Sequence, residues 1–412
     1  MKIAIIGAGI SGLTCAHLLD QKHQVTLFEK NDYLGGHAHT ITTEYQKKQY
    51  DLDTGFLVYN EPGYPGFTAL LKKLDVQTIA SDMSFSVSHV HPDFEYNGHS
   101  LWSLFAQKRN LFNPRFYGML RDILKFNRLV KGLIQIQTTL TLKAFIAQEK
   151  FGRYFIEYYL RPMLAAIWSM NPNEVLDFPL LFLGKFFDNH GLLNVNNRPQ
   201  WRTVAGGSKH YVAAIMKDFS GNVIPQAVTQ VSRVDQAYQI TNEKGTTYPF
   251  DRVIIATHSD EALNLYPNMP IALREALQQI PYQSNEVILH TDETLMPKRK
   301  AAWASWNYLL SDNNNRSTLT YYINRLQSID APCSFLVTLN QSQQIDPSKI
   351  LQRFDYAHPV FNQQTLNAQQ IIQQHNGNDQ LYLCGAYLGN GFHEDGLQSA
   401  LRVCEQLGMD GL

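Results

Sequence analysis

Cysteine is scarce in this chain: there are four in 412 residues, Cys15, Cys333, Cys384 and Cys404, and no two form a CxxC pair. That spacing argues against zinc knuckles and dithiol redox motifs, so no metal site is expected, and the scatter suits a reducing compartment, so a cytoplasmic location is expected. An excess of charge is missing as well. The 35 Lys and Arg against 36 Asp and Glu leave a net charge of −1. Nucleic-acid binders carry a strongly basic balance, so no nucleic-acid partner is expected. Long apolar runs are absent, and none approaches the roughly 20 residues of a transmembrane helix. The start, Met1-Lys-Ile-Ala-Ile-Ile6, begins like a signal peptide but is too short and is broken by the turn at Gly7. There is no internal repeat and no low-complexity tract. What remains is a chain with 44% hydrophobic and 12% aromatic residues. That is enough for a large core, and the length suits two domains rather than one.

The most informative motif stands at the N-terminus. Gly7-Ala-Gly9-Ile-Ser-Gly12 follows the apolar run Ile3–Ile6 and precedes a second apolar run ending in Glu29. Strand, glycine turn, helix, strand and acid form the context in which this glycine spacing binds a dinucleotide. Gly7 permits the turn, Gly9 lets the backbone approach a pyrophosphate, and Gly12 lets helix and strand pack closely. The helix N-terminus offers free N–H groups to the phosphates. Glu29 is placed to accept from the ribose hydroxyls, which disfavours a 2′-phosphate and hence NADP. A strand–turn–helix without ligand is the alternative.

Further along, the pattern predicts a helix over 66–74 and a mostly helical, aromatic-rich stretch over 101–200. A second change follows at Trp201-Arg-Thr-Val-Ala-Gly206-Gly207-Ser208, which leads through a helix into strands at 226–234, 238–242 and 252–257. More strands are expected at 286–290, 302–310, 318–324 and 335–339, with a hairpin turn at Asn313-Asn-Asn315. A strand at Gln380–Cys384 and a helix over 397–407 close the chain.

Four pieces belong together: the first glycine motif with its acid, Gly35-Gly36, the strand ending in Ala256-Thr257, and the C-terminal strand–Gly385–helix. In this order they resemble the flavin amine oxidase superfamily, which includes phytoene desaturases and protoporphyrinogen oxidases. The likeness covers the whole chain, most strongly 1–60, 201–262 and 380–407, and the joint order points to FAD rather than NAD. It implies an α/β fold (α+β in the second domain), with a Rossmann-type FAD-binding domain made of 1–75, 201–265 and 376–412. A discontinuous substrate domain of mixed sheet plus helices takes 76–200 and 266–375. It also implies roles. Gly7, Gly9 and Gly12, with Ser11 beside them, hold the pyrophosphate, and Glu29, followed by Lys30, holds the ribose. Gly35, Gly36 and the adjoining His37 approach the pyrophosphate and ribityl chain. Gly55, next to Thr54, leaves room beside the flavin ring. Val228 meets the adenine through backbone groups. Gly385 and the start of the last helix, Glu394, Gly396 and Leu397, face the ribityl and pyrimidine end.

A closer likeness is to a bacterial group of predicted flavoproteins of this superfamily, carried by Leu34-Gly-Gly-His-Ala-His39-Thr, Asp53-Thr-Gly-Phe56, Asp82-Met-Ser-Phe-Ser86, Ala302-Trp-Ala-Ser-Trp-Asn307-Tyr and Gly391-Phe-His-Glu-Asp-Gly396. Members of that group are associated with fatty-acid modification, which implies a lipid or other apolar substrate. The chain departs from true amine oxidases at three places. His37 stands where they usually carry Arg, Ser284-Asn-Glu-Val287 has no lysine, and His393 stands where they place a cage tyrosine.

The expected activity is hydride removal from a carbon by non-covalently bound FAD, as in desaturation. Amine oxidation, redox-neutral double-bond isomerisation and nucleotide binding without catalysis are the alternatives. His393 is the candidate catalytic group, because imidazole titrates near neutral pH; the alternative is a loop histidine satisfied by Glu394 or Asp395. His37 and His39, on one face if the segment is extended, line the flavin pocket or cap turns. Glu394 and Asp395 bond ribityl hydroxyls or act as first-turn acids. Cys384 sits on an apolar strand, so no covalent flavin link is expected. Residues 116–134 carry an apolar stripe with Arg121, Lys125, Arg128 and Lys131 elsewhere on the wheel. They read as a surface helix packed on the core or as a peripheral membrane contact. Trp303, Trp306, Tyr308, Tyr321 and Tyr322 line a substrate cavity or fill a sheet core.

Overall fold

The computed structural model describes residues 1–169, 175–310 and 318–412. The expected turn at 313–315 lies outside the described residues.

The apolar run Lys2–Ile6 forms the centre of a five-stranded parallel sheet, in the order Asn222–Ile224, Gln24–Phe28, Lys2–Ile6, Arg252–Ile255, Leu381–Leu383. Continuous rather than alternating hydrophobicity suits strands covered on both faces. Ile3, Ala4 and Ile5 are fully buried, as are Val253, Ile254 and Ile255. On one face lies the first helix, Ile10–Leu19, whose residues are nearly all buried. It is held there by the helix Lys209–Lys217 and by the last helix, His393–Gln406. On the other face pack the strands Val228–Val234, Ala237–Asn242 and Thr247–Phe250, with the helices Ser259–Leu265 and Ile271–Gln278.

A second sheet of seven strands runs Ile350–Pro359, Tyr282–His290, Leu336–Leu339, Leu319–Tyr322, Trp306–Leu310, Phe85–His89, Phe94–Asn97. All its pairings are antiparallel except the one between Trp306–Leu310 and Phe85–His89. A layer of helices, including Pro114–Gln135, Leu142–Glu149, Arg161–Trp168 and Leu180–Asn189, shares an aromatic core with this sheet through Phe116, Phe126, Phe155, Phe187 and Tyr308. A small antiparallel sheet pairs Trp201–Val204 with Tyr59–Asn60 on one side and Thr78–Ser81 on the other. The fold is therefore mixed α/β, with a Rossmann-type parallel sheet.

Several expected boundaries move. The last helix starts at His393, four residues before the expected start, because Asp395 accepts from the Phe392 N–H at 2.9 Å and caps the first turn. Of 302–310 only Trp306–Leu310 is strand, and Leu319–Tyr322 gives way to a short helix, Ile323–Leu326. Most of the apolar stripe expected at 116–134 turns inward: Phe116, Met119 and Val130 are buried in the helical core with Phe126 beside them, while Leu124 is exposed. No helix among the described residues is long and apolar enough to cross a membrane.

Candidate active site

The first glycine motif builds a cradle. Gly9 is the N-cap of the first helix, whose first turn has neither a side-chain cap nor an acid. Its leading N–H groups are thus left for an anion. Nothing lies within 4 Å of the place where a Cβ would stand on Gly9. At Gly12 the same Cβ would run into the Gly7 carbonyl. One glycine keeps space open and the other closes a helix onto a strand. The Gly35-Gly36 turn lies directly on this cradle. Gly35 N–H donates to the Ala8 carbonyl at 2.8 Å, and a Cβ on Gly36, whose φ is +59°, would stand 3.0 Å from the Gly9 Cα.

Glu29 is buried and its carboxylate accepts from the Ala8 N–H at 2.8 Å and the Asn31 N–H at 2.9 Å. Lys30 pairs with Glu261. Together with Phe28, Gln226 and Val228 these residues line one end of a continuous cavity of about 770 Å³. From there the cavity passes Ser11, Gly35, Gly36, His37, Gly55, Gly385 and His393. It ends among Tyr96, Tyr159, Met163, Ile167, Trp168, Phe186, Trp306, Tyr321, Phe361 and Phe392.

The middle of the cavity is a histidine cluster. The ring of His37 lies 6.0 Å from that of His258, 5.4 Å from that of His358 and 5.3 Å from that of Tyr356. Burial, then the neighbouring His358, hold His37 well below the usual imidazole range, and its Nε2 has no hydrogen-bond partner. His358, lowered by burial to about 4, meets Asn285 Nδ2 at 3.2 Å through its Nδ1. His258 stacks on Tyr282 at 4.2 Å. An unpartnered imidazole nitrogen and an uncapped helix N-terminus on one cavity suit the phosphates of a dinucleotide, so the residues present fit the group their pattern implies. The turn falls at Gly36–His37, closed by the Ala38 N–H donating to the Gly35 carbonyl at 3.0 Å, and the two imidazoles have different neighbours. His39 instead stacks on Tyr33 and meets the Tyr356 hydroxyl at 2.9 Å.

Other expected residues take different places. His393 lines the cavity, but its Nε2 meets the Tyr211 hydroxyl at 2.7 Å and its ring stacks on Phe56 at 3.9 Å. Burial lowers it to about 3, so it stays neutral at physiological pH, and it sits in the first turn of a helix rather than in a loop paired with Glu394 or Asp395. Both oxygens of Glu394 accept from the backbone at the start of the helix Pro65–Lys73, from Gly66 N–H at 2.9 Å and Phe67 N–H at 2.8 Å. Gly396 packs the last helix on the first, its carbonyl accepting from Ser11 Oγ at 2.9 Å. Leu397 is fully buried in the core beside it. Gly55 borders the cavity, yet the space of its missing side chain is taken by the His37 carbonyl. Thr54 turns its hydroxyl to Tyr356 at 2.6 Å. The Cys384 thiol faces Cys15, which also meets Cys404. Trp306 and Tyr321 line the cavity, Tyr308 joins the core, and Trp303 packs on Tyr322.

Sequence reasoning missed His258, His358, Tyr282, Asn285, His190 and Arg198. The strands Tyr282–His290 and Ile350–Pro359 pair antiparallel with Asn285 opposite Tyr356, and that register alone brings His358 to the cavity.

A parallel sheet with a glycine cradle at the carboxyl end of its central strand, opening into a large cavity, is the setting of a flavin-dependent oxidoreductase. The chain belongs to the flavin containing amine oxidoreductase family, whose model matches residues 10–408. Among solved structures it is similar to the CLA-producing fatty acid isomerase from P. acnes, with a TM-score of 0.70, 14% identity and 98% of each chain covered. It is also similar to cyclohexylamine oxidase from Brevibacterium oxydans IH-35A, with a TM-score of 0.69, 13% identity and 99% of each chain covered. At these identities the likeness is one of fold. A 4,4'-diapophytoene desaturase (4,4'-diaponeurosporene-forming) of Staphylococcus aureus strain Newman is 43% identical over 56 residues, 13% of this chain. The chain spans about a tenth of the length of the curated relatives it matches.

Proposed function

We propose that the chain binds FAD non-covalently and removes a hydride from a carbon of an apolar substrate, a fatty acyl chain, leaving a double bond. One observation carries this reading: the cavity continues from the dinucleotide cradle into an aromatic and aliphatic end that, among the described residues, holds no buried carboxylate for an ammonium group. Its lining charges are Glu29, Lys30, Glu261, Arg198 and Asp355. The first three stand at the cradle and are already bonded, and the last two are exposed. Where a cationic substrate would want a counter-charge, this wall offers Trp168, Phe186 and Phe392. The turn of Cys384 toward Cys15 supports a cofactor held without a covalent bond.

Bound oxidised flavin supplies the hydride acceptor, and the carbon chemistry is the cofactor's. The protein's part is placement. The N–H groups after Gly9 hold the pyrophosphate and Glu29 the adenosine ribose. The aromatic walls exclude water and align the chain. His393, neutral and bonded to Tyr211, fixes the floor formed with Phe56 rather than moving a proton. Desaturation would release a hydride, which the oxidised flavin would accept, and a proton, which would leave through the exposed rim of the cavity at Gly98, His99 and Arg198.

The test is product mass. Incubation of the purified flavoprotein with a lipid extract is expected to yield acyl chains lighter by two hydrogens. Unchanged mass with a moved double bond supports isomerisation instead. Oxidised amines without altered acyl chains contradict the reading, and retained flavin with no product from either class leaves nucleotide binding alone.

A further inference from the structure

Most of the apolar stripe of the long helix packs inward, but the segment before it and the helix's first turns leave apolar side chains exposed. Leu101, Trp102 and Phe112 are 77%, 90% and 87% exposed, and Leu111 and Tyr117 are also exposed. Single exposed apolar residues are ordinary; a contiguous group is not. Contacts of Phe105 and Tyr117 link Leu101, Tyr117 and Leu111, and Trp102 and Phe112 are their neighbours in the chain. Phe105 sits one turn from Leu101 in the helix Leu101–Leu104, with its N–H donating to the Leu101 carbonyl. Its ring lies 6.2 Å from that of Tyr117, whose hydroxyl donates to the Leu111 carbonyl at 3.0 Å.

The patch is ringed by positive charge. Lys108, Arg109 and Arg115 flank it in the chain, and all three are exposed. Lys298 and Lys300, also exposed, border the turn Lys300–Ala302, which packs on the helix Leu101–Leu104. The acids nearest in the fold, Asp93 and Glu95, are bonded by Arg299, and Asp93 also faces Arg109. Asp82, on the neighbouring loop, accepts from Ser84 and Ser305 and faces His99 at 3.9 Å. The patch also adjoins an entrance. Gly98, His99 and Arg198 are exposed and line the cavity, and Trp102 follows His99 by three residues, so it lies within about 11 Å of that rim.

We infer that residues 101–117 dock this protein on an anionic lipid surface, with Trp102 and Phe112 entering the headgroup layer and the cavity mouth turned toward it. Exposed Trp and Phe beside Lys and Arg are the side chains that settle at such an interface. Basic residues near an anionic surface each add attraction that falls off with added salt. The surface is read from exposure and charge, independently of the substrate proposed above, so lipid binding without acyl turnover would contradict that proposal and leave this one standing.

The full chain with its flavin is to be sedimented with vesicles of phosphatidylcholine alone and of phosphatidylcholine with phosphatidylglycerol. Binding is expected to the anionic vesicles only, to weaken with added salt, and to fall at least tenfold in the double variant Trp102→Glu/Phe112→Glu at unchanged flavin content. Lys108→Glu/Arg115→Glu is expected to weaken binding as well. As a check that needs no charged substitution in the patch, a brominated lipid is expected to quench the tryptophan emission of the wild type more than that of Trp102→Phe. No binding to either vesicle, equal binding by the double variant, or equal quenching overturns the inference. So does a dimer in solution that the double variant dissociates while vesicles are ignored, which would make the patch a contact between copies of the chain.

Discussion

Gly9 and Gly12 are three residues apart in one motif and do opposite things. The space beyond Gly9 is empty, and the space beyond Gly12 is filled by the Gly7 carbonyl. Gly9→Val is therefore expected to keep the fold and lose flavin, because its side chain enters the phosphate approach without striking protein. Gly12→Ala is expected to lose the fold or much of its stability, by several kcal/mol if the strand cannot shift. Flavin content and thermal unfolding, measured on both, check the contrast; equal flavin retention in Gly9→Val contradicts it. The glycine spacing and the separate tasks of Gly9 and Gly12 were legible in the sequence; how closely the Gly7 carbonyl closes on Gly12 was not, because it depends on where the helix settles against the strand. Glu394 is the opposite case. An acid in the first turn of a helix near a cofactor reads as a ligand, and only the position of the helix Pro65–Lys73 shows what it bonds.

Five imidazoles of the cavity lining are held down by burial: His37, His190, His258, His358 and His393. For a base lowered on folding, the unfolded chain takes up protons first as pH falls. The stability these groups contribute is complete above their unfolded value near 6.5 and is lost below it, at about 1.4 kcal/mol per pH unit for each fully buried group. Asp53 and Asp395, both raised by burial to about 6, act the other way; their contribution is present in acid and is lost as pH rises through about 6. Five groups outweigh two, so the unfolding midpoint is expected to drop on going from about pH 7 to about pH 5. An unchanged or higher midpoint contradicts the burial of the cluster.

At the scale of elements, the last helix ties the molecule together. It packs on the first helix through Gly396, presents His393 to the cavity and caps a third helix through Glu394. Removing that cap in Glu394→Ala is expected to cost about 1–2 kcal/mol, the usual cost of a lost N-terminal acceptor, while flavin stays bound. Equilibrium denaturation and flavin content read the two effects separately. Full stability with lost flavin would return Glu394 to the cofactor. Four of the five strands of the parallel sheet were legible because buried strands show continuous apolar runs, as in Val253–Ile255; the short, half-exposed Asn222–Ile224 was not. The start of the last helix was not, because Gly391-Phe-His-Glu-Asp-Gly396 carries no apolar period, and its helix is set by the Asp395 cap. Nor was the fate of the stripe at 116–134, since an amphipathic face looks the same whether it meets protein or lipid.

At the scale of the whole molecule, function depends on what two sheets and a helical layer enclose. The cradle comes from the first 36 residues, the histidine cluster adds side chains from 258 and 358, and the aromatic end draws on Tyr96, Tyr159, Trp168, Phe186, Trp306, Tyr321, Phe361 and Phe392. Local pattern identified the cradle, because its glycines, strand and acid are neighbours in the chain. It could not assemble the far end, because strand order and register across the seven-stranded sheet follow from long-range pairing. The central claim is that one continuous cavity holds FAD and an apolar acyl chain end to end. Anaerobic titration of the purified flavoprotein tests it most directly, by following loss of the oxidised flavin's visible absorbance as acyl lipids or amines are added. The account predicts bleaching by acyl chains and none by amines; bleaching by amines alone would contradict it.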